Sequence, residues 1–338
     1  MRKCYLSKNY NRLSSAGNKA KTDIEKIMQQ AGFVNVGFRQ THYSNKISGF
    51  LITLLGVLKV PFSLRRGDIL VLQYPLKKYY PFVCKAAHFR KCKVVTLIHD
   101  LGSFRRRKLT VQKEIERLNL SDYIIAHNQS MKNWLVEHGC KATVECLEIF
   151  DYLSESKAPE REIPTQYSIL YAGGLSRKKN SFLYDLGKHI HTCHLNLYGH
   201  GFDIEQVEIG KESFSYKGFI ASDQLISSAQ GSFGLVWDGD SVDTCSGIFG
   251  EYLRYNNPHK TSLYIRCGLP VIIWKQAALA SFVQENNIGI SVGSLKEIDE
   301  RLAQISSTEY KEMIENVKVI DERLSRGYYF CRAISKVQ

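Results

Sequence analysis

The chain has 338 residues, which is enough for about two domains of ~150 residues each. Its hydrophobic fraction of 44% and charged fraction of 23% are those of an ordinary globular protein. Nine scattered cysteines include no CxxC pair, so neither a zinc ribbon nor a redox motif is indicated, and free thiols fit a reducing cytoplasm. The first ten residues are polar and unlike the apolar core of a signal peptide, so we expect a cytoplasmic protein.

The net charge of +13 is unevenly distributed. Residues 1–150 contain 26 Lys and Arg against 10 Asp and Glu, whereas the remainder contains 20 against 23. A strongly basic half predicts an anionic partner, which could be nucleic acid, anionic lipid or a phosphorylated acceptor. A generally basic surface that serves solubility is the alternative.

The first half alternates short apolar strands with amphipathic helices, which predicts parallel βαβ units and a doubly wound sheet. A small-residue turn at 14–18 precedes a helix that runs to about Gln30. Further helices are expected at 111–120 and 131–138. The predicted strands of this half are 4–6, 34–37, 68–73, 93–98, 123–126 and 143–147.

Residues 47–64 form a nearly continuous apolar segment that Gly56, Lys59 and Pro61 interrupt. Its uncharged core is too short to cross a bilayer of ~30 Å comfortably. One interpretation is a buried or partly exposed helix of the first domain. The other is a helix that dips into a membrane interface, which the basic runs at 65–66, 77–78 and 105–108 favour.

Residues 151–166 are polar and contain two prolines, so they are interpreted as an interdomain linker. The alternation then restarts. Helices are expected at 276–285, 295–305 and 309–323, and an aromatic tail follows at 327–334. Three strands each run into a glycine-containing turn, namely 167–172, 194–198 and 233–237.

A short helix with both of its ends marked lies within 255–274. Asn257 is a good N-cap and Pro258 suits the first helical position. Gly268 can adopt the left-handed conformation that ends a helix. Residues 271–273 then read as a buried strand.

Lys260 falls in the first turn of this helix, where the partial positive charge of the helix end disfavours a cation. An anion between them would remove the conflict, and the diphosphate of a nucleotide is the simplest such anion. A solvated lysine on a capped helix is the alternative.

The glycine turns point to a ligand site, because ligands bind outside the carboxyl ends of strands in open α/β sheets. The segment 171–179 combines small residues with three cations, which suits a phosphate close to the backbone. Neither GxGxxG nor a Walker lysine motif occurs, which argues against a dehydrogenase and an ATPase.

In the first domain, the strand 93–98 ends in His99 and Asp100. A carboxylate at a strand end can accept a proton from a hydroxyl group. The alternative is that Asp100 caps a helix.

Six stretches resemble one group of bacterial sugar transferases: the galactofuranosyltransferase-like enzymes and the streptococcal glucosyltransferase that extends glycans on serine-rich adhesins. They cover both domains in order, and the last is the most specific. The stretches are AGNKA at 16–20, HDLGSFR at 99–105, YAGGL at 171–175, LYGHG at 197–201, FGLVWDG at 233–239 and NNPHKTSLYIRCGLPVI at 256–272.

The resemblance implies an α/β GT-B fold, in which two Rossmann-like domains face each other across a cleft. Residues 1–150 would bind the acceptor and 167–324 the nucleotide sugar, while a helical tail at 325–338 would pack back on the first domain.

The resemblance also implies transfer of a hexosyl group, glucose or galactofuranose, from a UDP-sugar to a hydroxyl of a growing glycan on lipid or protein. No cofactor is implied. No metal is required by a GT-B enzyme, since a helix dipole and cations replace it at the leaving diphosphate. The DxD spacing at 238–240 is therefore interpreted as a loop. No Glu-x7-Glu pair like that of the common retaining GT-B families occurs around the donor helix, which favours an inverting displacement.

By the resemblance, Lys260 and Asn257 would contact the diphosphate. The candidate base is Asp100, with His99 as the alternative. The candidate donor-binding residues are Gly17, Gly174, Ser176, Lys179, Gly199, Tyr216, Asp238, Asn257, His259 and Lys260.

Two other functions compete with this one. A non-catalytic nucleotide-sugar-binding partner of another transferase would keep Lys260 but need no base. A nucleic-acid-binding protein would use the basic half, but the sequence contains no recognisable reading motif, so nucleic acid is not the expected partner. An anionic surface at the inner face of the cell membrane and a second copy of the chain are further partners that the sequence allows.

Overall fold

The computed structural model describes residues 2–11, 16–105 and 109–337. Residues 14–15 of the predicted turn and 106–108 of the basic run fall outside them. The chain divides into two compact units: unit 1 consists of Met1–Asp151 with Arg326–Gln338, and unit 2 of Tyr152–Ser325. Residues 152–166 of the predicted linker belong to unit 2 and contain neither helix nor strand.

Unit 1 is built on a six-stranded parallel sheet in the order β2-β1-β3-β4-β5-β6. Its strands are β1 (Lys3–Tyr5), β2 (Val34–Asn35), β3 (Ile69–Tyr74), β4 (Lys93–Ile98), β5 (Tyr123–Ala126) and β6 (Thr143–Cys146). With labels that follow the whole chain, its helices are α1 (Ala16–Gln30), α2 (Lys46–Ser63), α3 (Tyr80–Phe89), α4 (Gly102–Arg105), α5 (Val111–Leu118), α6 (Gln129–Glu137) and α14 (Tyr328–Ser335).

The strand order of unit 1 places its helices. The chain steps in one direction from β1 to β2 and in the opposite direction from β2 to β3 and from β3 to β4. Because parallel crossovers are right-handed, α1 covers one face of the sheet, whereas α2 and α3 cover the other. In agreement, α2 packs beside α3, and α1 packs against α14.

Unit 2 also has a six-stranded parallel sheet, but its strand order differs and is β12-β11-β10-β7-β8-β9. Its strands are β7 (Ser168–Gly174), β8 (His194–His200), β9 (Phe214–Gly218), β10 (Phe233–Val236), β11 (Val271–Trp274) and β12 (Gly289–Val292). Its helices are α7 (Phe182–Leu186), α8 (Ser222–Ser228), α9 (Gly247–Tyr252), α10 (His259–Arg266), α11 (Ala280–Glu285), α12 (Ile298–Ala303) and α13 (Ser307–Ser325). Two doubly wound parallel sheets are the fold class that the sequence predicts.

One predicted turn and two strands of the sheets differ from expectation. The predicted turn at 14–18 is wrong from Ala16 onward, because Ala16, Gly17 and Asn18 open α1. Strands β9 and β12 are not predicted. β9 lies at the edge of its sheet and has a largely exposed pattern, so it lacks the apolar run of a central strand.

The end of the chain returns to unit 1 through α14. Gly327 has a φ of 74°, a left-handed value that favours glycine, and it redirects the chain between α13 and α14. The buried carboxylate of Asp151 then accepts the backbone amides of Tyr329 and Phe330 at 3.0 and 2.7 Å. A residue far away in the sequence therefore satisfies the first-turn amides of α14.

Candidate functional site

The carboxyl ends of β7, β8 and β10 and the start of α10 carry most of the candidate donor-binding residues of unit 2. Parallel strands end at one edge of a sheet, so these residues share that edge. Sequence reasoning placed them there, and the structure shows how their side chains are held.

The helix α10 begins one residue later than predicted. Pro258 is its N-cap residue and His259 its first helical residue, so the predicted N-cap role of Asn257 is wrong. The proline ring cannot accept a hydrogen bond, so the side chain of the N-cap residue leaves the first-turn amides uncapped. The end of α10 agrees with prediction: Gly268 has a φ of 71°, and the amides of Gly268 and Leu269 bond to the carbonyls of Ile265 and Tyr264.

The ammonium group of Lys260 reaches from the first turn of α10 to the ends of β7 and β10. Its Nζ lies 3.1 Å from Tyr171 Oη, 3.1 Å from the carbonyl oxygen of Trp237 and 3.0 Å from Asp238 Oδ1. Tyr171 Oη also donates to Asp238 Oδ1 at 3.2 Å, and burial raises the pKa of Tyr171 well above its ordinary value. The lysine thus has an anionic partner in Asp238, and a diphosphate there stays a prediction.

Asn180, which sequence reasoning missed, joins two of the turns at this edge. The side chain is fully buried, with Nδ2 donating to the Gly174 carbonyl and Oδ1 accepting the Gly239 amide. One amide side chain therefore links the turn after β7 to the loop after β10. A single asparagine between Lys179 and Ser181 carries no periodicity or motif that would have identified it.

Lys179 lies over Gly174 at the end of β7. A Cβ atom at Gly174 would come within 3.2 Å of the lysine Cδ, and the Lys179 Nζ is 5.6 Å from the centre of the Phe249 ring. Ser176 shapes the same turn, because its carbonyl accepts the amides of Lys179 and Asn180. A second cation thus stands beside the backbone of a glycine turn.

Gly199 and Tyr216 are joined at the far side of this edge. A Cβ atom at Gly199 would lie 1.8 Å from the carbonyl oxygen of Gly173, its partner in β7, so packing alone requires glycine there. Tyr216 Oη donates to the Gly199 carbonyl at 3.0 Å, and the tyrosine remains 45% exposed. Next to it, His200 stacks on Phe219 with ring centres 4.7 Å apart.

Asn257 and His259 flank the N-cap of α10. Asn257 is buried, and the His259 ring stacks on Tyr152 at a centre-to-centre distance of 4.7 Å. In the part of the chain that the structure describes, two buried polar atoms around this helix start have no hydrogen-bond partner, Asn256 Oδ1 and Thr261 Oγ1. Leaving such buried atoms unpaired is costly.

In unit 1, His99 and Asp100 follow β4 as predicted, and both are partly buried. His99 Nε2 lies 2.6 Å from Gln73 Oε1, and its ring stacks on Phe150 at 5.3 Å. The other end of the Gln73 amide donates to the carbonyl of Lys21 in α1. Gln73 therefore connects the end of β4 to α1, the helix whose first turn carries the exposed Gly17.

Glu114 holds the loop that follows Asp100. Its buried carboxylate accepts the amides of Gly102 and Ser103 at 2.7 and 2.8 Å, the Ser103 hydroxyl at 2.5 Å and the Tyr74 hydroxyl at 2.9 Å. Sequence reasoning did not single it out. The available signal was a glutamate on the apolar stripe of α5, which Ile115 and Leu118 share.

His127 lies close enough to Asp100 for the carboxylate to influence the pKa of the imidazole. Burial lowers the pKa of His127 to about 4, although Asp100 and the nearby backbone carbonyls oppose the shift. The imidazole is consequently neutral at pH 7, and its Nε2 lies 3.0 Å from the Ile98 carbonyl oxygen.

A polar cluster that was not predicted follows β1. The carboxylate of Glu25 accepts the hydroxyls of Ser7 at 2.5 Å and Tyr10 at 2.6 Å, and burial raises the pKa of Glu25 to about 7. The Lys8 ammonium lies 5.4 Å from the Tyr10 ring centre, and burial lowers the pKa of Lys8 to about 7.

Among residues 2–11, 16–105 and 109–337, no three His, Cys, Asp or Glu side chains are grouped closely enough to hold a metal ion. Asp238 of the DxD-spaced loop pairs with Lys260 instead.

Two family models match the chain and together span both units. The glucosyltransferase 3-like N-terminal domain matches residues 3–149, and the glucosyltransferase 3-like C-terminal domain matches residues 169–337.

Curated relatives match over most of the chain. The chain is 37% identical over 279 residues to the beta-1,6-galactofuranosyltransferase WbbI of Escherichia coli (strain K12), covering 81% of this chain and 80% of that protein. It is 23% identical over 318 residues to glucosyltransferase 3 of Streptococcus gordonii, covering 92% of this chain and 90% of that protein.

Solved structures share the fold at low sequence identity. The apo lipopolysaccharide outer core galactosyltransferase WaaB has a TM-score of 0.62 at 14% identity, covering 100% of both chains. AviGT4, a glycosyltransferase of avilamycin A biosynthesis, has a TM-score of 0.54 at 13% identity, covering 96% of this chain and 98% of its own. The predicted two-domain α/β GT-B fold is confirmed.

Proposed function

The chain belongs to the glucosyltransferase 3-like family of glycosyltransferases, and from that membership we propose that it moves a hexosyl group from a UDP-sugar to a hydroxyl of a growing glycan. The sugar is glucose or galactofuranose. These are the sugars in the names of its relatives, the E. coli galactofuranosyltransferase and the streptococcal glucosyltransferase. The acceptor is a glycan carried on lipid or protein.

The observation that carries this proposal is the Lys260 cluster at the start of α10. The Lys260 ammonium, paired with Asp238 at 3.0 Å, and the first-turn amides of α10 lie together at the carboxyl edge of a parallel sheet, and a helix N-terminus of this kind favours an anion. In the proposal the donor diphosphate binds at this helix end. Lys260 then exchanges its hydrogen bond to the Trp237 carbonyl for one to a phosphate oxygen. Lys179, above Gly174, supplies a second positive charge.

The uridine is assigned to the exposed side of β9. The Tyr216 ring is 45% exposed while its hydroxyl is fixed to Gly199, so a flat apolar face is presented at the end of β8. A nucleobase gains from stacking on such a fixed ring.

The chemical step proposed is an inverting displacement without a metal. As the acceptor oxygen bonds to the anomeric carbon, the bond from that carbon to the diphosphate oxygen breaks and UDP leaves with the electron pair. Asp100 takes the acceptor proton, with His99 as the alternative base. The cations and amides at α10 stabilise the charge that develops on the leaving diphosphate, which is work a metal does in other enzymes.

A second candidate is a non-catalytic nucleotide-sugar-binding partner of another transferase. The candidate donor-binding residues of unit 2 would serve such a protein equally well, because binding a nucleotide sugar needs no base. Turnover separates the two functions.

The test is a screen of UDP-sugars for transfer and hydrolysis, together with thermal unfolding in UDP, GDP and CDP. UDP at about a hundredfold its dissociation constant should stabilise the folded chain by about 2.7 kcal/mol. Asp100→Asn keeps the side-chain size and should retain that shift while turnover falls by ~10²-fold or more.

Equal stabilisation by GDP or CDP would contradict the uridine assignment. If no UDP-sugar turns over although UDP binds, the second candidate replaces the first. Near-normal turnover in Asp100→Asn would move the role of base to His99.

A peripheral position at the inner face of the cell membrane belongs to the same proposal, because an acceptor carried on lipid is presented there. Homo-oligomer formation stays a prediction from the sequence.

A further inference from the structure

The helix α2 has an inverted distribution of side chains. The face toward the body of unit 1 consists of small or medium residues, and the buried residues are Gly49, Gly56, Val57 and Val60. The outward face carries large apolar side chains that are 47–88% exposed: Ile47, Leu51, Leu55, Leu58 and Phe62. At about 100° per residue these five fall within an arc of about 80°.

This arrangement is unlike that of a helix that packs only within a soluble unit, which turns its large apolar side chains inward. A contiguous exposed apolar patch of this kind marks a surface that is covered by something else. By length and composition, α2 is also the one helix among residues 2–11, 16–105 and 109–337 that could cross a bilayer, with a mean hydropathy of 1.4.

The neighbouring helix α3 extends the surface. Phe82, Lys85 and Phe89 are exposed and spaced by three and four residues, so they form one strip on α3, which packs beside α2. The Lys78 ammonium lies 4.9 Å from the ring centre of Phe50 on α2, which joins the basic residues before α3 to the apolar face.

In the segment that contains α2 and α3, basic residues far outnumber carboxylates. Residues 26–99 contain twelve Lys and Arg and a single carboxylate, Asp68. That carboxylate is buried and bound by Arg2 at 2.5 Å, so it does not offset the exposed cations. Arg65 and Arg66 are exposed directly after the helix, and Lys46 is exposed at its start.

We propose that the outward faces of α2 and α3, with the cations around them, form a docking surface for an anionic lipid bilayer. The helix would lie in the plane of the interface with its large side chains at the boundary between headgroups and acyl chains. The surrounding Lys and Arg would meet anionic headgroups. The inference deepens the membrane part of the proposed function, but lipid binding itself does not depend on sugar transfer.

Two observations favour this occupant and this orientation. A second copy of the chain would bring two basic surfaces together, which like-charge repulsion opposes. The helix is also fastened along its length to unit 1, since a Cβ at Gly49 would touch the Asn9 side chain and Arg2 donates to the Ser63 carbonyl. A helix held in this way lies on a bilayer rather than across it.

The experiment measures sedimentation of the full chain with vesicles of phosphatidylcholine alone and with added phosphatidylglycerol, at about 0.05 M and about 0.5 M salt. We expect binding to the anionic vesicles that weakens at high salt. Leu58→Ser/Phe62→Ser should reduce binding by at least about tenfold. The matched control is Val136→Ser/Val319→Ser, which removes two apolar side chains of similar exposure from α6 and α13 and should bind normally.

A second pair of variants tests the charge. Arg65→Glu/Arg66→Glu should reduce binding at low salt by at least about tenfold, whereas Arg301→Glu/Lys311→Glu on exposed positions of unit 2 should not. Circular dichroism checks that each variant is folded. Thermal stabilisation by UDP, measured without vesicles, should be unchanged in all four variants, so a failure of donor binding is seen separately from a failure of lipid binding.

Equal binding to neutral and anionic vesicles, or normal binding by Leu58→Ser/Phe62→Ser, would overturn the proposal. The proposal would also be overturned if Leu58→Ser/Phe62→Ser still bound vesicles but dissociated a wild-type oligomer in sedimentation velocity. The outward face of α2 would then be an interface between copies of the chain.

Discussion

Lys260 illustrates how a side chain can serve the fold and a ligand at once. Sequence reasoning expected a lysine that faces the diphosphate of a ligand. In the structure its ammonium contacts Tyr171 Oη, the Trp237 carbonyl and Asp238 Oδ1, and both members of the ion pair are largely buried, at 14% and 12% side-chain exposure. Removing one member of such a pair leaves a buried charge without its partner.

Substitution of Lys260 should therefore affect stability and turnover separately. Lys260→Met should lower the free energy of unfolding by about 3 kcal/mol, because Asp238 loses its cation. Turnover should fall by ~10²- to 10³-fold through loss of charge at the diphosphate. Urea unfolding and transfer kinetics measure the two effects.

The double variant Lys260→Met/Asp238→Asn removes both charges and should recover most of the stability but none of the turnover. Lys311→Met, at an exposed position of α13, is the matched control. Normal turnover in a folded Lys260→Met protein would remove the start of α10 from the proposed mechanism.

At the scale of elements, the start of α14 is held by Asp151, which lies more than 170 residues earlier in the sequence. Asp151 is 1% exposed, and each of its carboxylate oxygens accepts one amide of the first turn of α14. The apolar face of the helix is buried through Tyr329, Phe330, Ala333 and Ile334. The helix start is thus fixed by a carboxylate outside the helix itself.

Asp151→Ala should destabilise unit 1 by about 2–4 kcal/mol, because two buried amides lose their hydrogen-bond acceptor. Hydrogen exchange should show the largest loss of protection in α14. Thr110→Ala removes an exposed cap from α5 and should cost only about 1 kcal/mol. Unchanged protection of α14 in Asp151→Ala would show that apolar packing alone holds the helix.

Sequence reasoning located elements and turns better than it located contacts. The strand 93–98, the strand 123–126 and the helix end at Gly268 follow from local patterns, and the structure confirms them. The edge strand β9 was missed because an exposed edge needs no apolar run. Asn180, Glu114 and Glu25 were missed because their partners lie on other elements, where no local pattern records them.

At the scale of the whole molecule, buried acids give stability a dependence on pH. Burial raises the pKa of both Glu25 and Asp151 to about 7, although hydroxyl or amide donors oppose the shift. A raised pKa means that the folded state binds the proton more tightly. This stabilisation is complete below the unfolded-state pKa of each acid and is lost as the pH rises through about 7.

Glu25→Gln should reduce that dependence. The wild-type free energy of unfolding should fall between about pH 4.5 and 6.5, and Glu25 should account for about 2–3 kcal/mol of the fall. The pKa of Lys8 is lowered to about 7, so Lys8 stays largely protonated in this window. In the variant the amide can accept from Tyr10 and donate to Ser7, so the fold is kept.

Urea unfolding at several pH values in that window checks the slope. Glu116→Gln, on an exposed position of α5, is the matched control and should behave like the wild type. The same slope in Glu25→Gln as in the wild type would show that Glu25 ionises alike in the folded and unfolded states.

The division of unit 1 between the two ends of the chain has a consequence for synthesis on the ribosome. Residues 1–151 emerge before unit 2, whereas Arg326–Gln338, which complete unit 1, emerge after it. At about 5–20 residues per second, the intervening stretch takes on the order of 10–35 s to translate. Through this interval the nascent first unit lacks α14, so the part of α1 that packs against α14 and the side chain of Ile27, which lies beside Gly327, stay uncovered. Unit 2 is continuous in sequence and can fold as it emerges, so unit 1 begins synthesis before unit 2 but is completed after it.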